Sequence, residues 1–325
     1  MVIYANHGLR ASIRAMDEAF QSIYQTGSTA AVEEKIASLQ EVFEIQGMVD
    51  MREDERKFSK RESVQALIPA AGDHRFQPDL SELLKDRPLC MLEIGGKTII
   101  ERQMDLLRST GVTDICVVGG YLHEKIKADG ASILYNSDYA TRHDAHSIMF
   151  AKDYFKSKTI MVYSDVLFDR QILDRLIDSP HQVTLVIDRA YQTLPFREKK
   201  LDLVVVEDPA RGHTSRRLTL NTFKPIRLIG KQIDKHEANY EFIGMAFFRE
   251  EGIKELKRAW EEVFIKFRGR SFYEALSVDQ ASFTDLVQYL IDRGCPVYGM
   301  EIEHGWSEIH SLDDYERINA YFKSP

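Results

Sequence analysis

Residues 66–121 read ALIPAAGDHRFQPDLSELLKDRPLCMLEIGGKTIIERQMDLLRSTGVTDICVVGGY, and their order of apolar and small residues is the most informative pattern in the chain. The pattern predicts an apolar strand over 64–69, an amphipathic helix over 97–109 and a second apolar strand over 114–118, which ends in a glycine pair. A strand, a loop, a helix and a strand in this order predict two neighbouring parallel strands. Ligands of such sheets bind at the carboxyl ends of the strands, so we expect a binding site there.

The loop after the first strand begins with three small residues, which let backbone N–H groups approach a base or a phosphate closely. We therefore predict that Ala70, Ala71 and Gly72 bind a nucleotide. The rest of this loop is interpreted as polar, and its cations are candidates for screening a triphosphate: Arg75, Lys85 and Arg87.

These residues resemble a motif of the nucleotidyltransferase family, which includes sugar-phosphate nucleotidyltransferases and the cytidylyltransferases for phosphocholine and phosphonates. The matching positions are Ala70-Ala71-Gly72, Arg75, Pro88 and Gly95-Gly96-Lys97. In two respects the chain departs from the pattern: the loop before Pro88 is longer, and Leu89 stands where the family has a phosphate-binding lysine. The resemblance implies an α/β fold of the Rossmann-like, nucleotide-diphospho-sugar transferase type, with a mixed sheet and helices on both faces.

Composition limits the function classes. The chain has 325 residues, 44% of them hydrophobic, which suits one large α/β domain with an appendage. A formal net charge of -8 argues against nucleic acid as a partner, because backbone phosphates attract clustered cations. Three cysteines without paired or metal-binding spacing indicate a reducing compartment, and no stretch resembles a signal peptide or a membrane span. We therefore expect a cytoplasmic protein that does not bind membranes.

The chain divides into three parts by pattern. Residues 1–50 predict a helical hairpin, 51–62 form a charged linker, and 63–325 form the nucleotidyltransferase domain. The stretches VIYANHGLRASIRAM and VEEKIASLQEVFEIQ resemble the carboxyl-terminal end of phosphoenolpyruvate mutase, an enzyme that makes carbon–phosphorus bonds. That resemblance implies a place in phosphonate metabolism. Otherwise the hairpin serves packing or homodimerisation.

A second part of the nucleotide pocket follows from the resemblance. The family has an Asn, a Tyr and then an Asn-x-x-Ser run after the third strand, and Asn136, Ala145 and Ser147 correspond to it in character. His143 or Asp144 stands where the second asparagine is common. An alternative for Ser147 is that it caps the following helix.

The predicted metal ligands lie on two separate stretches. In TIMVYSDVLFD an apolar strand delivers Asp165 to the ligand edge, where Mg²⁺ would find the oxygen donor that it prefers. The run GWSEIHSLDD resembles the family's Trp-x-Glu-Ile-Asp, with Glu308 as the carboxylate and His310 in the aspartate position. Because imidazole binds Mn²⁺ or Zn²⁺ better than Mg²⁺, either the metal preference is altered or Glu308 acts alone. We assign Asp169, Asp313 and Asp314 to helix starts.

Between these stretches, β-rich segments predict an antiparallel extension over an acceptor site. By family analogy a lysine near IRLIG binds the acceptor's phosphate or phosphonate, and Lys231 is preferred to Lys224. The resulting hypothesis is transfer of CMP from CTP, or of another nucleotide, to a phosphonate or phosphate acceptor with release of pyrophosphate. Two alternatives stay open: a sugar-1-phosphate nucleotidyltransferase, and a non-catalytic nucleotide-binding paralogue suggested by Leu89 and His310.

Overall fold

The computed structural model describes residues 64–76, 79–190, 200–207 and 223–323, which belong to a unit spanning Lys60–Pro325. The predicted hairpin at 1–50 and the linker at 51–62 lie outside the described residues. The domain boundaries therefore stay predictions.

The described part of the chain contains both helices and strands. The strands are β1 (Gln65–Ala70), β2 (Glu93–Ile94), β3 (Lys97–Thr98), β4 (Asp114–Gly119), β5 (Ser132–Tyr135), β6 (Lys158–Val162), β7 (Val166–Phe168), β8 (Val183–Asp188), β9 (Leu203–Val206), β10 (Phe223–Gly230), β11 (Tyr240–Arg249), β12 (Tyr298–Ile302) and β13 (Trp306–Glu308). The α-helices are α1 (Ile99–Ser109), α2 (Asp144–Phe150), α3 (Arg170–Ile177), α4 (Glu250–Lys266), α5 (Phe283–Asp292) and α6 (Leu312–Lys323).

A mixed sheet forms the centre, with the order β5-β4-β1-β6-β11-β8-β12-β10-β9. Strands β5, β4, β1 and β6 run parallel to one another, β11 is antiparallel to both β6 and β8, and β12 runs parallel to β8. Strand β9 pairs with both β10 and β11, which curls this end of the sheet into the predicted antiparallel extension. The carboxyl ends of the parallel strands thus meet at one edge.

The predicted strand–helix–strand unit is confirmed. Strands β1 and β4 pair in parallel, from Gln65 opposite Asp114 to Ala70 opposite Gly119. Helix α1 begins two residues later than predicted, because Thr98 and Glu101 form a capping box that satisfies the first free N–H groups.

Helices cover both faces of the sheet, as predicted. On one face Leu67 and Cys116 pack with side chains of α2, α4 and α5, and on the other Ile68 and Val117 pack with side chains of α1 and α3. Because both faces are buried, strand β1 is almost continuously apolar rather than alternating. None of the helices in the described part of the chain combines the length and apolarity needed to cross a bilayer.

The loop after β1 is only partly polar, which corrects the sequence-based interpretation. Leu80, Leu84 and Leu89 are at most 2% exposed and pack with Ile309 and Ile318 in a third apolar cluster. Leu89 therefore belongs to the core and contributes no phosphate-binding group. Its replacement of a lysine reflects a buried position in this longer loop.

Candidate active site

The turn after β1 and the end of β4 meet at the carboxyl edge of the sheet. The backbone N–H of Tyr121 donates to the carbonyl of Ala71 at 3.2 Å. A Cβ atom on Gly120 would lie 2.4 Å from the same carbonyl oxygen, so only glycine permits this approach. At the predicted ligand edge, the structure thus places Ala70 at the end of β1 and buries Ala71 in the turn, where only Gly72 of the three is exposed.

Arg75 lies beside this turn. Its guanidinium pairs with Asp73 at 2.8 Å and stacks over the Tyr121 ring, 4.3 Å from the ring centroid. The hydrogen bond with Asp73 raises the pKa of Arg75 and lowers that of Asp73. A permanent positive charge therefore stays next to the turn.

The other two predicted cations of the loop lie further out. Lys85 pairs with Glu82, and Arg87 pairs with Asp86 at 3.0 Å; both side chains are exposed. Only the backbone of Lys85 is tied towards the turn, through its carbonyl, which accepts from the Tyr121 hydroxyl at 3.1 Å. The structure does not bring these two charged ends together with Arg75.

Asn136 and Ser147 are brought together. The Asn136 amide donates to the Ser147 hydroxyl at 3.1 Å, and both residues are buried. Ser147 lies within helix α2, and His143 occupies the N-cap position, so the capping alternative for Ser147 is wrong. Ala145 is fully buried beside them.

A two-stranded ribbon unites the two stretches that carry the predicted metal ligands. Strand β7, directly after Asp165, pairs antiparallel with β13, and Glu308 lies opposite Val166. The N–H of Ile309 donates to the carbonyl of Asp165 at 3.0 Å, and the Oδ1 atom of Asp165 is buried. Long-range pairing thus places both carboxylate-bearing residues at one end of the ribbon.

His310 adjoins this end of the ribbon. Its Nδ1 atom lies 4.0 Å from Glu308 Oε1, and its backbone N–H donates to the Asp314 carboxylate at 3.3 Å. Asp314 is 2% exposed and also accepts from Ser311 at the start of α6, so it does more than oppose the helix dipole. Asp169 stands at the N-cap of α3 without a capping hydrogen bond from its side chain.

The donor set suits a cation that shares its ligands with a substrate. Among the described residues, no group of three or more His, Cys, Asp or Glu side chains is arranged to hold a metal. Mg²⁺ in nucleotide enzymes is commonly bound by one or two carboxylates together with substrate phosphates and water. Asp165 and Glu308 fit that pattern, and the assignment of Asp165, Glu308 and His310 as ligands stays a prediction.

A polar network surrounds the Tyr163 side chain, and the sequence did not reveal it. The Tyr163 hydroxyl donates to Asp144 Oδ2 at 2.7 Å, and His143 Nδ1 lies 2.6 Å from Asp144 Oδ1. Burial, together with the charges of Asp144, Asp202 and Asp165, raises the pKa of Tyr163 well above its usual value. Burial also acts to raise the pKa of Asp144, but the bonds from His143 and Tyr163 outweigh it, and the pKa is lowered.

Lys231 belongs to the same network. Its Nζ atom lies 3.9 Å from Asp202 Oδ1. The hydrogen bond to Asp144 raises the pKa of His143 and the charge of Lys231 opposes that rise, while the same charge helps the bonds from His143 and Tyr163 to lower the pKa of Asp144. Its backbone N–H donates to Glu274 at 2.9 Å. Lys224, by contrast, is held between Glu301 at 2.9 Å and the Tyr240 hydroxyl at 2.6 Å.

Asp188 is a further residue that sequence reasoning missed. It ends strand β8 at the ligand edge, is 1% exposed, and accepts from Trp306 Nε1 at 2.7 Å. It therefore anchors the first residue of β13. Its signal in the sequence is an aspartate at the end of VTLVID, the same position that Asp165 takes after an apolar strand.

Sequence comparisons agree with this architecture. No protein-family model matches the chain. The chain is 26% identical over 262 residues to CTP:phosphoglutamine cytidylyltransferase of Campylobacter jejuni, an alignment that covers 77% of this chain and 97% of the relative. It is 25% identical over 139 residues to CMP-5'-(3-aminopropyl)phosphonate synthase of Streptomyces rubellomurinus, covering 40% of this chain and 22% of the relative. Over 58 residues it is 41% identical to phosphoenolpyruvate phosphomutase of Tetrahymena pyriformis, an alignment that covers 18% of this chain and 19% of the relative.

Solved structures show the fold independently. The inositol-1-phosphate CTP transferase from T. maritima superposes with a TM-score of 0.59 at 20% identity, covering 80% of this chain and 96% of that chain. The predicted Rossmann-like nucleotidyltransferase fold is thereby confirmed. By its similarity to cytidylyltransferases over most of its length and by its shared architecture, the chain is an enzyme of the nucleotidyltransferase class.

Proposed function

We propose that the protein transfers CMP from CTP to a small phosphonate or phosphate acceptor and releases pyrophosphate. The observation that carries the proposal is the β7–β13 ribbon, which places Asp165 and Glu308 at the same sheet edge as the turn at Ala71 and Gly72. Cytidylyl transfer is the activity named for the relative that aligns with 77% of the chain.

The reaction needs no covalent enzyme intermediate. An acceptor oxygen forms a bond to the α-phosphorus of CTP, the bond from that phosphorus to the bridging oxygen breaks, and its electron pair leaves with pyrophosphate. The protein's part is positioning and charge stabilisation. Asp165 and Glu308 would hold Mg²⁺, which would neutralise phosphate charge, while Mn²⁺ is the alternative that His310 suggests. Arg75 would add positive charge from the loop.

Lys231 is the residue that we assign to the acceptor. Its ammonium group lies beyond hydrogen-bond distance from Asp202, whereas Lys224 is held by two close partners. The charge of Lys231 also acts on Asp144, whose carboxylate accepts from Tyr163. Tyr163 follows directly after β6. An anionic acceptor group between Lys231 and the metal would face the α-phosphate.

Phosphonate metabolism is the proposed setting. Two partial similarities support it: one relative is named as a synthase of a CMP-linked phosphonate, and another as a phosphoenolpyruvate phosphomutase. A sugar-1-phosphate acceptor is the alternative within the same enzyme class.

Pyrophosphate release across a panel of substrates tests the proposal. CTP, UTP, ATP and GTP would each be combined with 2-aminoethylphosphonate, phosphocholine or glucose 1-phosphate, in Mg²⁺ or Mn²⁺. We expect the highest kcat/KM for CTP with an aminoalkyl phosphonate or phosphate ester. A preference for glucose 1-phosphate would favour the alternative, and no release with any combination would overturn the proposal.

Two lysine variants test the assignment of Lys231 to the acceptor. Lys231→Met should raise the KM for the acceptor about 10-fold or more and leave the KM for CTP nearly unchanged, since one charge-assisted contact is lost. Lys254→Met is a matched control, because Lys254 pairs with Glu250 and Glu251 on the exposed side of α4. Equal acceptor KM values for the two variants would contradict the assignment.

A further inference from the structure

Gln103 occupies a position in helix α1 where an apolar residue is expected. With Ile99 and Leu107 it forms a stripe at spacings of four residues, and all three are at most 1% exposed. A glutamine buried in such a stripe lowers stability unless its amide is hydrogen-bonded. The Gln103 amide therefore needs hydrogen-bond partners that a leucine in this position would not need.

The Gln103 amide clamps the turn that follows strand β6. Its Nε2 atom donates to the carbonyl of Tyr163 at 2.8 Å and to the carbonyl of Val166 at 2.7 Å. The turn itself is closed by the N–H of Val166, which donates to the Tyr163 carbonyl at 3.3 Å. Since both partners of the amide are carbonyl oxygens, only its NH₂ group can face them, so its orientation is determined.

The clamp leaves the oxygen of the Gln103 amide, Oε1, buried and without a hydrogen-bond partner among the described residues. An unsatisfied buried acceptor destabilises a fold, so packing alone would favour an apolar side chain here. The two donated bonds are the feature that an apolar residue would lack.

Asp165 lies within the clamped turn, between Tyr163 and Val166. On the ribbon side its carbonyl accepts from Ile309, and on the helix side the turn is held by Gln103. We propose that Gln103 is a positioning residue, which holds the Asp165 carboxylate in the orientation that metal-nucleotide chemistry requires. The inference rests on the proposed function for the role of Asp165.

The physical reason is the precision that phosphoryl chemistry demands. Displacement of a reacting group by about 1 Å can reduce the rate about 100-fold, and functional side chains need support from groups that are themselves locked in place. Asp165 is held through backbone contacts from Ile309 on one side and from Gln103 on the other. Loss of the Gln103 contacts should therefore let the turn shift while the sheet stays intact.

Gln103→Met tests this role, with Gln65→Met as a matched control. Gln65 is 3% exposed, its Nε2 donates to Asp114 at 3.5 Å, and its Oε1 is likewise buried without a partner in the described part of the chain. It stands at the start of β1, at the opposite end of that strand from the turn at Ala71 and Gly72. Both variants remove a buried amide at similar volume, but only one touches the turn.

We expect Gln103→Met to lower kcat about 10-fold to 100-fold and to raise the Mg²⁺ concentration needed for half-maximal rate, with the KM for the acceptor nearly unchanged. Gln65→Met should lower Tm without changing kcat or the Mg²⁺ requirement. Gln103→Asn, which keeps the amide but shortens its reach, should fold and show an intermediate loss. If Gln103→Met and Gln65→Met share the same kcat and Mg²⁺ requirement, the positioning role is refuted.

Hydrogen–deuterium exchange separates this inference from the proposed function. The N–H groups of Val166 and Ile309 should exchange faster in Gln103→Met than in the parent. In Gln65→Met their exchange rates should equal those of the parent. This result is independent of turnover, so a parent without pyrophosphate release would overturn the proposed function while the clamp is still measured. Unchanged exchange at both amides in Gln103→Met would overturn the clamp itself.

Discussion

A backbone hydrogen bond of 3.0 Å joins the N–H of Ile309 to the carbonyl of Asp165. It connects two stretches that are far apart in the sequence, and it continues the pairing of β7 with β13 by one residue. The residues on both sides of Ile309 are Glu308 and His310, so the same bond joins the two stretches that carry the predicted metal-binding side chains.

Asp165→Asn should abolish metal-dependent pyrophosphate release and keep the fold. The substitution removes a carboxylate charge at nearly constant volume, and an amide oxygen is a much weaker ligand for Mg²⁺ than a carboxylate. Tm without metal should stay within a few degrees of the parent. Pyrophosphate release and thermal melting, each with and without Mg²⁺ and CTP, measure both parts.

Asp169→Asn is the matched control, since Asp169 lies four residues later and makes no capping hydrogen bond through its side chain. It should retain activity. If Asp165→Asn keeps the parent's rate, or if both variants lose it equally, the metal assignment fails.

The sequence predicted the parts of this site that depend on local order. The β1–α1–β4 unit and the position of Asp165 after a strand follow from apolar runs and small-residue turns, and the structure confirms them. Leu89 and Gln103 show what local patterns cannot give. Leu89 is apolar because a cluster including Ile309 buries it, and Gln103 is polar because two carbonyls of a distant turn face it.

Local sequence patterns likewise do not predict which contacts the charged side chains make. From the sequence, Asp144 was one of two residues that stand in the place of the family's second asparagine, but its bond to Tyr163 depends on how α2 packs against the end of β6. Lys85 and Arg87 were predicted from proximity along the chain, and the structure instead turns both towards neighbouring carboxylates at the surface. Long-range packing decides which charges share a site.

Gly120→Ala should impair nucleotide binding. The added Cβ would lie 2.4 Å from the carbonyl oxygen of Ala71 and 2.6 Å from Tyr139 Cβ, so the turn at Ala71 and Gly72 must shift. We expect the KM for the nucleotide to rise about 10-fold and stability to fall by ~1–3 kcal/mol, as for other overpacked sites. Initial-rate kinetics and urea unfolding measure the two effects.

Gly294→Ala is the control for this glycine. Gly294 has a φ of +82° and no atom within 4 Å of an added Cβ, so the variant carries backbone strain alone. It should lose ~1–2 kcal/mol of stability with an unchanged KM. A normal nucleotide KM in Gly120→Ala would show that the turn tolerates displacement.

Two histidines near the start of α2, His146 within the helix and His143 at its N-cap, should have opposite effects on the pH dependence of stability. Burial against Trp260 and Phe264, together with the charge of Arg142, lowers the pKa of His146 to about 4. Because the unfolded chain binds this proton more readily, His146 lowers the free energy of unfolding as pH falls from about 6.5 to about 4. The loss is at most ~3 kcal/mol. His146→Gln should therefore flatten the stability profile over this range.

His143 provides the comparison with the opposite sign. The hydrogen bond to Asp144 raises its pKa, so the stability that it contributes is present below about pH 6.5 and is lost as pH rises through the folded-state pKa. His143→Gln should lower stability at pH 6 more than at pH 8. Urea unfolding of both variants from pH 4 to pH 8 measures these slopes, and parallel profiles for the two would contradict the signs.

His310→Asp is expected to change the metal preference of the site. The His310 side chain is 44% exposed and lies 4.0 Å from Glu308 Oε1, while its backbone N–H is held by Asp314. The substitution leaves that backbone bond in place and adds a carboxylate beside Glu308. We expect Mg²⁺-supported pyrophosphate release to rise severalfold and the advantage of Mn²⁺ over Mg²⁺ to shrink, since oxygen ligands favour Mg²⁺.

The added charge should also make stability depend on metal. Without a divalent ion, repulsion from Glu308 should lower the Tm of His310→Asp below that of the parent, and Mg²⁺ with CTP should raise it by more than in the parent. His310→Asn separates the effect of charge from that of shape, because its amide supplies an oxygen that Glu308 does not repel. The Tm of this variant should therefore not depend on metal more than that of the parent. A parent that turns over rapidly with Mg²⁺ and loses that rate in His310→Asp would show that the imidazole has a role of its own.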